Sequence, residues 1–375
     1  YKCHGPHEEA RLSDVRLDTR KGLFSLTGEI IPVVPRQLKT SELYRRITST
    51  DGDVMMPPPD SHKTLTETEK ETLRLWIKQG ARWEPHWSFA SIARPSPPRV
   101  KNSRWANNEI DLFILARQQQ QRLSPSPRAG GYTLIRRLYL DLVGLPPAPA
   151  EADRWHDDIF QGDQFNADAY ALLVDQLIAS DQYGERWARR WLDLARYADT
   201  NGYEKDRDRP MWPFRDWVIR AINSGQPFDQ FTIEQIAGDM LEDATPSQRI
   251  ATGFHRNTML NEEGGIDPLE FRFYAMTDRV STTGTTWLGL TTGCAQCHTH
   301  KFDPISHRQY YELMALMDNT DEPELDVPDP SIDRQMQQNQ ARAAVLLKQL
   351  PEKWPADRPE LDMDERFEQW LSAER

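Results

Sequence analysis

At 375 residues the chain is long enough for two or three domains, each with its own core. A formal net charge of −12 argues against nucleic acid as a partner, because neutralising phosphates needs a surplus of Lys and Arg on one face. No apolar run approaches the ~18 residues of a membrane-spanning helix, and three cysteines are too few for a disulfide framework.

In chain order, residues 1–83 read as a small helical unit. HEEARLSDVRLDTR is a polar loop or short helix, and KTSELYRRITST has helical character. Pro57, Pro58 and Pro59 forbid helix. Thr66 and Glu69 then form a capping-box pattern that opens a helix in which Leu73, Trp76 and Ile77 share a face, and Gly80 closes it. Residues 84–103, rich in Pro and Ser, predict a linker. From 104 the pattern is mainly helical. NNEIDLFILARQQQQRL predicts one amphipathic helix and YTLIRRLYLDLVGLPP another, stopped at Gly144 and Pro146. ADAYALLVDQLIAS and RWARRWLDLARY follow, the latter with Trp187 and Trp191 as a core stripe. Two further helices flank the turn SGQP. Residues 251–290 look less regular, with GFHRNTMLNEEGGIDP as an exposed loop. HRQYYELMALMDN predicts a short helix, and 331–350 and 360–375 predict polar helices. The expected fold class is therefore mainly α, a small helical domain followed by a larger one.

The chemistry concentrates at Cys294-Ala-Gln-Cys297-His298. C-x-x-C-H is the pattern for covalent attachment of c-type haem. Each thiol adds to a vinyl group at the porphyrin edge, the two-residue spacer spans the pair, and the adjoining imidazole ligates iron. Tyr1-Lys2-Cys3-His4 repeats the second half of the motif, so a cysteine is expected just before Tyr1, with the given chain starting late. Cys3, Cys294 and Cys297 are the expected thioether residues, and His4 and His298 the expected iron ligands. A His-ligated haem in a small helical domain commonly takes a Met thioether on its other face. Met56, braced by Pro57 and Pro58, is the better candidate over Met55. For the second haem, His300 is too close in sequence to pass round the ring, since two extended residues reach only ~7 Å. Met259, His255 and His307 are the candidates there, and an open position is the alternative.

Other assignments compete. C-x-x-C also occurs as half a zinc site, but only Cys3 remains to complete it. As a redox pair it would follow a strand in a βαβ context, which this sequence lacks. The carboxylates Asp199, Asp206, Glu262, Glu263 and Asp267 fit helix caps, turns and ion pairs better than a Ca²⁺ site or an acid–base pair.

These stretches carry a resemblance. YKCHGPHEEARLSDVRLDTR with VMMPPPDSHKTLTETEKETLRLWIKQGA resembles the planctomycete-type cytochrome C domain, in which a Met-Pro-Pro loop precedes the last helix. Residues 104–320 resemble its companion, a second planctomycete cytochrome-associated domain of unknown function. LIRRLYLDLVGLPP, RWARRWLDLARYADTNGYEKD, ATGFHRNTMLNEEGGIDP and TTGCAQCHTHKFDPIS are among the stretches that carry it. The resemblance implies exported, haem-bearing proteins with a third domain beyond a helical spacer. Residues 321–375 then read as the start of that spacer, with the third domain missing. Thr299 stands where an acidic residue is common, so no carboxylate role transfers to that position.

The first functional expectation is an electron carrier with two haem c groups, periplasmic or otherwise exported, with a redox partner protein. The second is a haem-dependent oxidoreductase on an extracytoplasmic, perhaps carbohydrate-derived, substrate, with His300, Glu262, Glu263 and Asp199 as candidate catalytic residues. The third is a non-redox binding module whose C-x-x-C is structural.

Overall fold

The computed structural model describes residues 3–6, 11–27, 29–162, 164–319, 322–327, 330–353 and 372. The readings placed on Tyr1, Lys2 and residues 7–10, and nearly all of the helix expected over 360–375, lie outside the described residues. The chain divides into two units, 1–320 and 321–375. Among its described residues the second contains a polar helix.

In the N-terminal region α1 (Arg20–Phe24) starts at Thr19, whose hydroxyl accepts from the Gly22 N–H. α2 (Glu42–Ile47) follows, and a 3₁₀ turn, Pro59–Ser61, begins on the last of the three prolines. α3 (Glu67–Lys78) opens on the full capping box of Thr66 and Glu69. It stops at Gly80, whose φ of +110° few other residues adopt. Leu23, Val33, Ile77 and Ala81 form a small core, with Trp76 and Trp83 packed on it.

Among the described residues the larger region is mainly helical, with loops between its helices and one hairpin of two short strands. α4 (Glu109–Gln120) is capped by Asn108. It is not amphipathic as expected: the run Leu112–Leu115 covers its whole circumference, so Leu115 is buried while Ile110, Phe113 and Ile114 are exposed. α5 (Gly131–Leu142), α6 (Pro149–Ile159) and α7 (Ala167–Ile178) enclose a core of Ile135, Tyr139, Trp155, Ile159, Leu173 and Leu177. Between α6 and α7, β1 (Phe160–Gln161) pairs antiparallel with β2 (Gln164–Phe165), Phe160 opposite Phe165.

α8 (Asp181–Leu194) packs on α9 (Trp212–Asn223), with α10 (Phe228–Ala237), α11 (Pro246–Ala251) and α12 (Gly253–Arg256) closing the same core. Trp191 joins that core and donates from its indole to Gln235 at 2.7 Å. α13 (Pro268–Thr283) runs through the stretch expected to be irregular. Asp267 caps it and Pro268 occupies its first turn, a start signal that its diffuse apolar pattern hides. It runs on as one π-turn, Gly284–Leu288, closed by Gly289 at φ +65°. The chain then enters a 3₁₀ turn, Thr292–Gln296, that carries CAQCH, and α14 (His307–Asp318) starts on a Ser306–Gln309 capping box. Val280, Ala295, Tyr310 and Met314 bury these three segments together. In the second unit, α15 (Pro330–Lys353) is the polar helix expected over 331–350. No helix among the described residues is long and apolar enough to cross a membrane.

Candidate functional site

The CAQCH turn is presented at the surface by a buried frame. Thr292, itself buried, donates to the carbonyl of Val280 at 3.3 Å, and the Cys294 N–H donates to Thr291 O at 3.0 Å. Ala295 is fully buried against α13 and α14. Cys294 and Cys297 are exposed and unpaired. His298 donates from Nδ1 to Thr299 O at 2.8 Å. That bond fixes the tautomer and leaves the Nε2 lone pair for a ligand.

At the first motif Cys3 is half-buried and unpaired, and His4 behaves like His298. Its Nδ1 donates to Val15 O at 2.8 Å, so Nε2 again carries the lone pair. Met56 is half-buried, and its N–H ties the proline-rich loop to the end of α2 through Arg46 O, 3.1 Å away. The donor set at both motifs, free thiols next to a tautomer-fixed imidazole, fits covalent haem. Beside CAQCH lies an apolar recess of about 190 Å³, lined by Leu288, Ile305, Tyr310 and Leu313 among others. This is smaller than the roughly 300–1,000 Å³ of pockets that engulf a ligand. No group of three or more His, Cys, Asp or Glu that could hold a bare metal ion occurs among the described residues.

His300 is spoken for at both nitrogens. Its Nδ1 accepts from the N–H groups of Phe302 (3.2 Å) and Asp303 (2.8 Å). Nε2 must then carry the proton, which it gives to Thr291 Oγ1 at 3.0 Å. The ring is buried and pins the KFDPI turn to the strand of chain leading into CAQCH. His307 differs: Nδ1 donates to Ala295 O at 2.9 Å and only that nitrogen is engaged by the motif.

His255 lies inside the core, where its ring bonds the Ile236 carbonyl and Nδ1 has no protein partner. Burial, and after it the Arg279 charge, push its pKa down to about 4. Met259 is 59 % exposed, and its sulfur lies against Gly202, where a Cβ would meet it at 2.8 Å.

That contact belongs to a larger one, because the two loops singled out in the sequence, RYADTNGYEKD and NTMLNEEGG, lie on each other. Leu260 N–H donates to Asn201 O at 2.8 Å. Lys205 gives its N–H to Glu263 Oε1 (3.1 Å) and its ammonium to Glu262 O (2.6 Å). Arg207 stands 3.7 Å from the Glu262 carboxylate, and Arg209 donates to Thr258 O at 3.0 Å. Glu262 and Glu263 are thus cross-loop ties. Asp199 accepts from the Tyr197 hydroxyl at 2.5 Å and from Met211 N–H at 3.1 Å. Burial, and then that carboxylate, raise the Tyr197 pKa well above the phenol range.

Asp199 also lines an open groove of about 520 Å³ with Asp208, Arg209, Pro210, Trp212 and Arg215. Trp212 and the two arginines were not singled out in the sequence. The signal available was RPMWPFRDW, where Pro213 starts α9 and sets Trp212 and Arg215 on its first turn. Within the groove, burial and the Arg256 charge lower the pKa of Arg209. Burial, with Arg256 and Arg272, brings that of Arg279 to about 10.

Comparison with known proteins agrees with both halves of this description. Residues 1–60 match the family described as planctomycete cytochrome C. The description of that family implies binding of haem c, so residues 1–60 are similar to a cytochrome-like haem domain. Neither the curated proteins nor the solved structures contain a match. Residues 109–322, more than half of the 375, match the family described as "Protein of unknown function (DUF1549)", also called PSCyt2, and the chain belongs to that family.

Proposed function

We propose that this is an exported c-type cytochrome that transfers electrons through two covalently held haem groups. One observation carries the reading. His4 and His298 each follow an unpaired cysteine, and each gives its Nδ1 proton to a main-chain carbonyl 2.8 Å away. Both imidazoles are therefore prepared as Nε2 ligands before any iron is bound. When bound, haem c supplies reversible one-electron chemistry. The chain's part is to hold it, through Cys294 and Cys297 at one motif and Cys3 at the other, with His298 and His4 as ligands. Met56 is the proposed second ligand at the first motif, where a thioether raises the reduction potential. Of Met259 and His255, Met259 is the exposed residue and His255 the buried one. Thioether attachment takes place outside the cytoplasm, so the proposed location is the periplasm or outer surface. The net charge of −12 favours a redox partner protein with a basic docking face.

The test is to produce the chain in a host that attaches haem in its periplasm and to count haem per chain from the reduced spectrum. Two are expected, and a matured but colourless protein overturns the proposal. Met56→Ala should alter the ligand field of one haem and leave the other unchanged.

A second reading, haem-dependent oxidation of a small substrate, is favoured by the open groove with Asp199, Arg209, Trp212 and Arg215 beside the paired loops. It needs an open iron position, so carbon monoxide binding by half the haem would favour it over the pure carrier.

A further inference from the structure

The CAQCH turn has two residues between its cysteines, and α14 grips both. His307 donates from Nδ1 to the Ala295 carbonyl at 2.9 Å. Tyr311, one helical turn further on, donates its hydroxyl to the Gln296 carbonyl at 3.0 Å. The two rings also touch edge to face, with centroids 5.0 Å apart. The i, i+4 spacing puts both donors on one face of α14, and that face is directed at the spacer of the motif. Ala295 is buried beneath it while the thiols on either side are exposed.

A turn this short, carrying two glycine-free spacer residues, would ordinarily sample several conformations, and a 3₁₀ turn has weaker internal bonds than an α-helix. We infer that His307 and Tyr311 are positioning residues: they hold the spacer carbonyls of residues 295 and 296 inward so that the thiols of Cys294 and Cys297 face outward together, prepared for covalent capture of a porphyrin. This rests on the haem reading proposed above. Attachment joins each thiol to one vinyl group of reduced haem: a C–S bond forms, the S–H proton passes to the neighbouring vinyl carbon, and no net oxidation occurs. His307 and Tyr311 take no part in that addition; they limit the conformations from which it starts.

The test compares the full chain with Tyr311→Phe, His307→Leu, the double variant and the conservative His307→Gln, whose amide can still donate. Before haem is supplied, amide hydrogen exchange over residues 294–298 should quicken about tenfold in each single variant, since one hydrogen bond is lost. It should quicken further in the double variant and return towards wild type in His307→Gln. Exchange over α5–α7 serves as the fold control. After maturation, the share of peptide 294–297 carrying haem, read by mass, should fall several-fold in the double variant, with haem at Cys3 unchanged. Unchanged exchange over 294–298, or unchanged haem on that peptide, overturns the inference while leaving the cytochrome reading standing. A wild-type chain with no haem on that peptide instead defeats the reading on which it rests.

Discussion

What a histidine can do here follows from which of its nitrogens the chain has already used. His4 and His298 each give the Nδ1 proton to a main-chain carbonyl, which leaves the Nε2 lone pair open to a ligand. His300 accepts at one nitrogen and donates at the other, so it is a fastener for the turn after CAQCH. His255 is a third case, a ring inside the core whose neutral form burial enforces. This makes stability depend on pH with a definite sign. The folded pKa of about 4 lies below the ordinary 6.5, so between those values the unfolded chain binds a proton that the folded chain refuses. Stability is therefore intact above pH 6.5, falls as the pH drops towards 4, and loses nothing further to this group below that. At ~1.4 kcal/mol per unit, the loss amounts to about 3–4 kcal/mol at most. Denaturant midpoints at pH 7 and pH 5 should differ in the wild type, and His255→Gln should remove part of that difference. An equal slope in the two proteins would show that His255 titrates freely.

At the level of elements, the informative joint is the one between α13 and the CAQCH turn. Gly284, at the start of the π-turn, faces Thr292, and a Cβ there would collide with that side chain. Thr292 leads into the motif and anchors it to the Val280 carbonyl. Gly284→Ala should thus cost about 1–3 kcal/mol, the usual range for overpacking a tight contact, and should speed exchange of the Cys294 amide. Gly289→Ala would meet no neighbour and strains only its own positive φ, so it serves as the control. A smaller loss at 284 than at 289 would refute the argument.

The same joint shows what the sequence made legible. α3, α8, α9 and α14 were readable because their apolar residues recur on one face or their caps are explicit. α13 was not, because Phe271, Phe273, Tyr274 and Met276 spread round its surface and only Asp267-Pro268 marks its start. The C-x-x-C-H motif was readable from spacing alone. The grip of α14 on its spacer was not, since it depends on two helices meeting through Tyr310 and Val280. The meeting of the RYADTNGY and NEEGG loops was likewise a tertiary fact. Its ingredients, Lys205 and the two glutamates, look in sequence like ordinary surface charges.

For the whole molecule the open question of organisation is whether residues 1–83 behave as a module. The contacts assign 1–320 to one unit, yet the core of Leu23, Val33, Ile77 and Ala81 ends before the Pro-rich stretch 84–103, whose side chains are mostly exposed. That stretch is not free everywhere. Arg94 pairs with Glu109 at 2.8 Å, and Lys101 gives its N–H to the Gln119 side chain and receives that side chain's amide on its carbonyl, at 3.2 and 2.6 Å. A protease must draw its target into an extended strand, which Lys101 resists while Gln119 holds both of its main-chain groups. Arg94 precedes a proline. Arg99, exposed and outside both ties, should therefore be the first tryptic site within residues 1–320, giving a 1–99 fragment that keeps any haem bound at Cys3. Gln119→Ala should open Lys101 as a second early site. Early cuts between 109 and 319 with an intact linker would instead mean that 84–103 is held as firmly as the helices it joins.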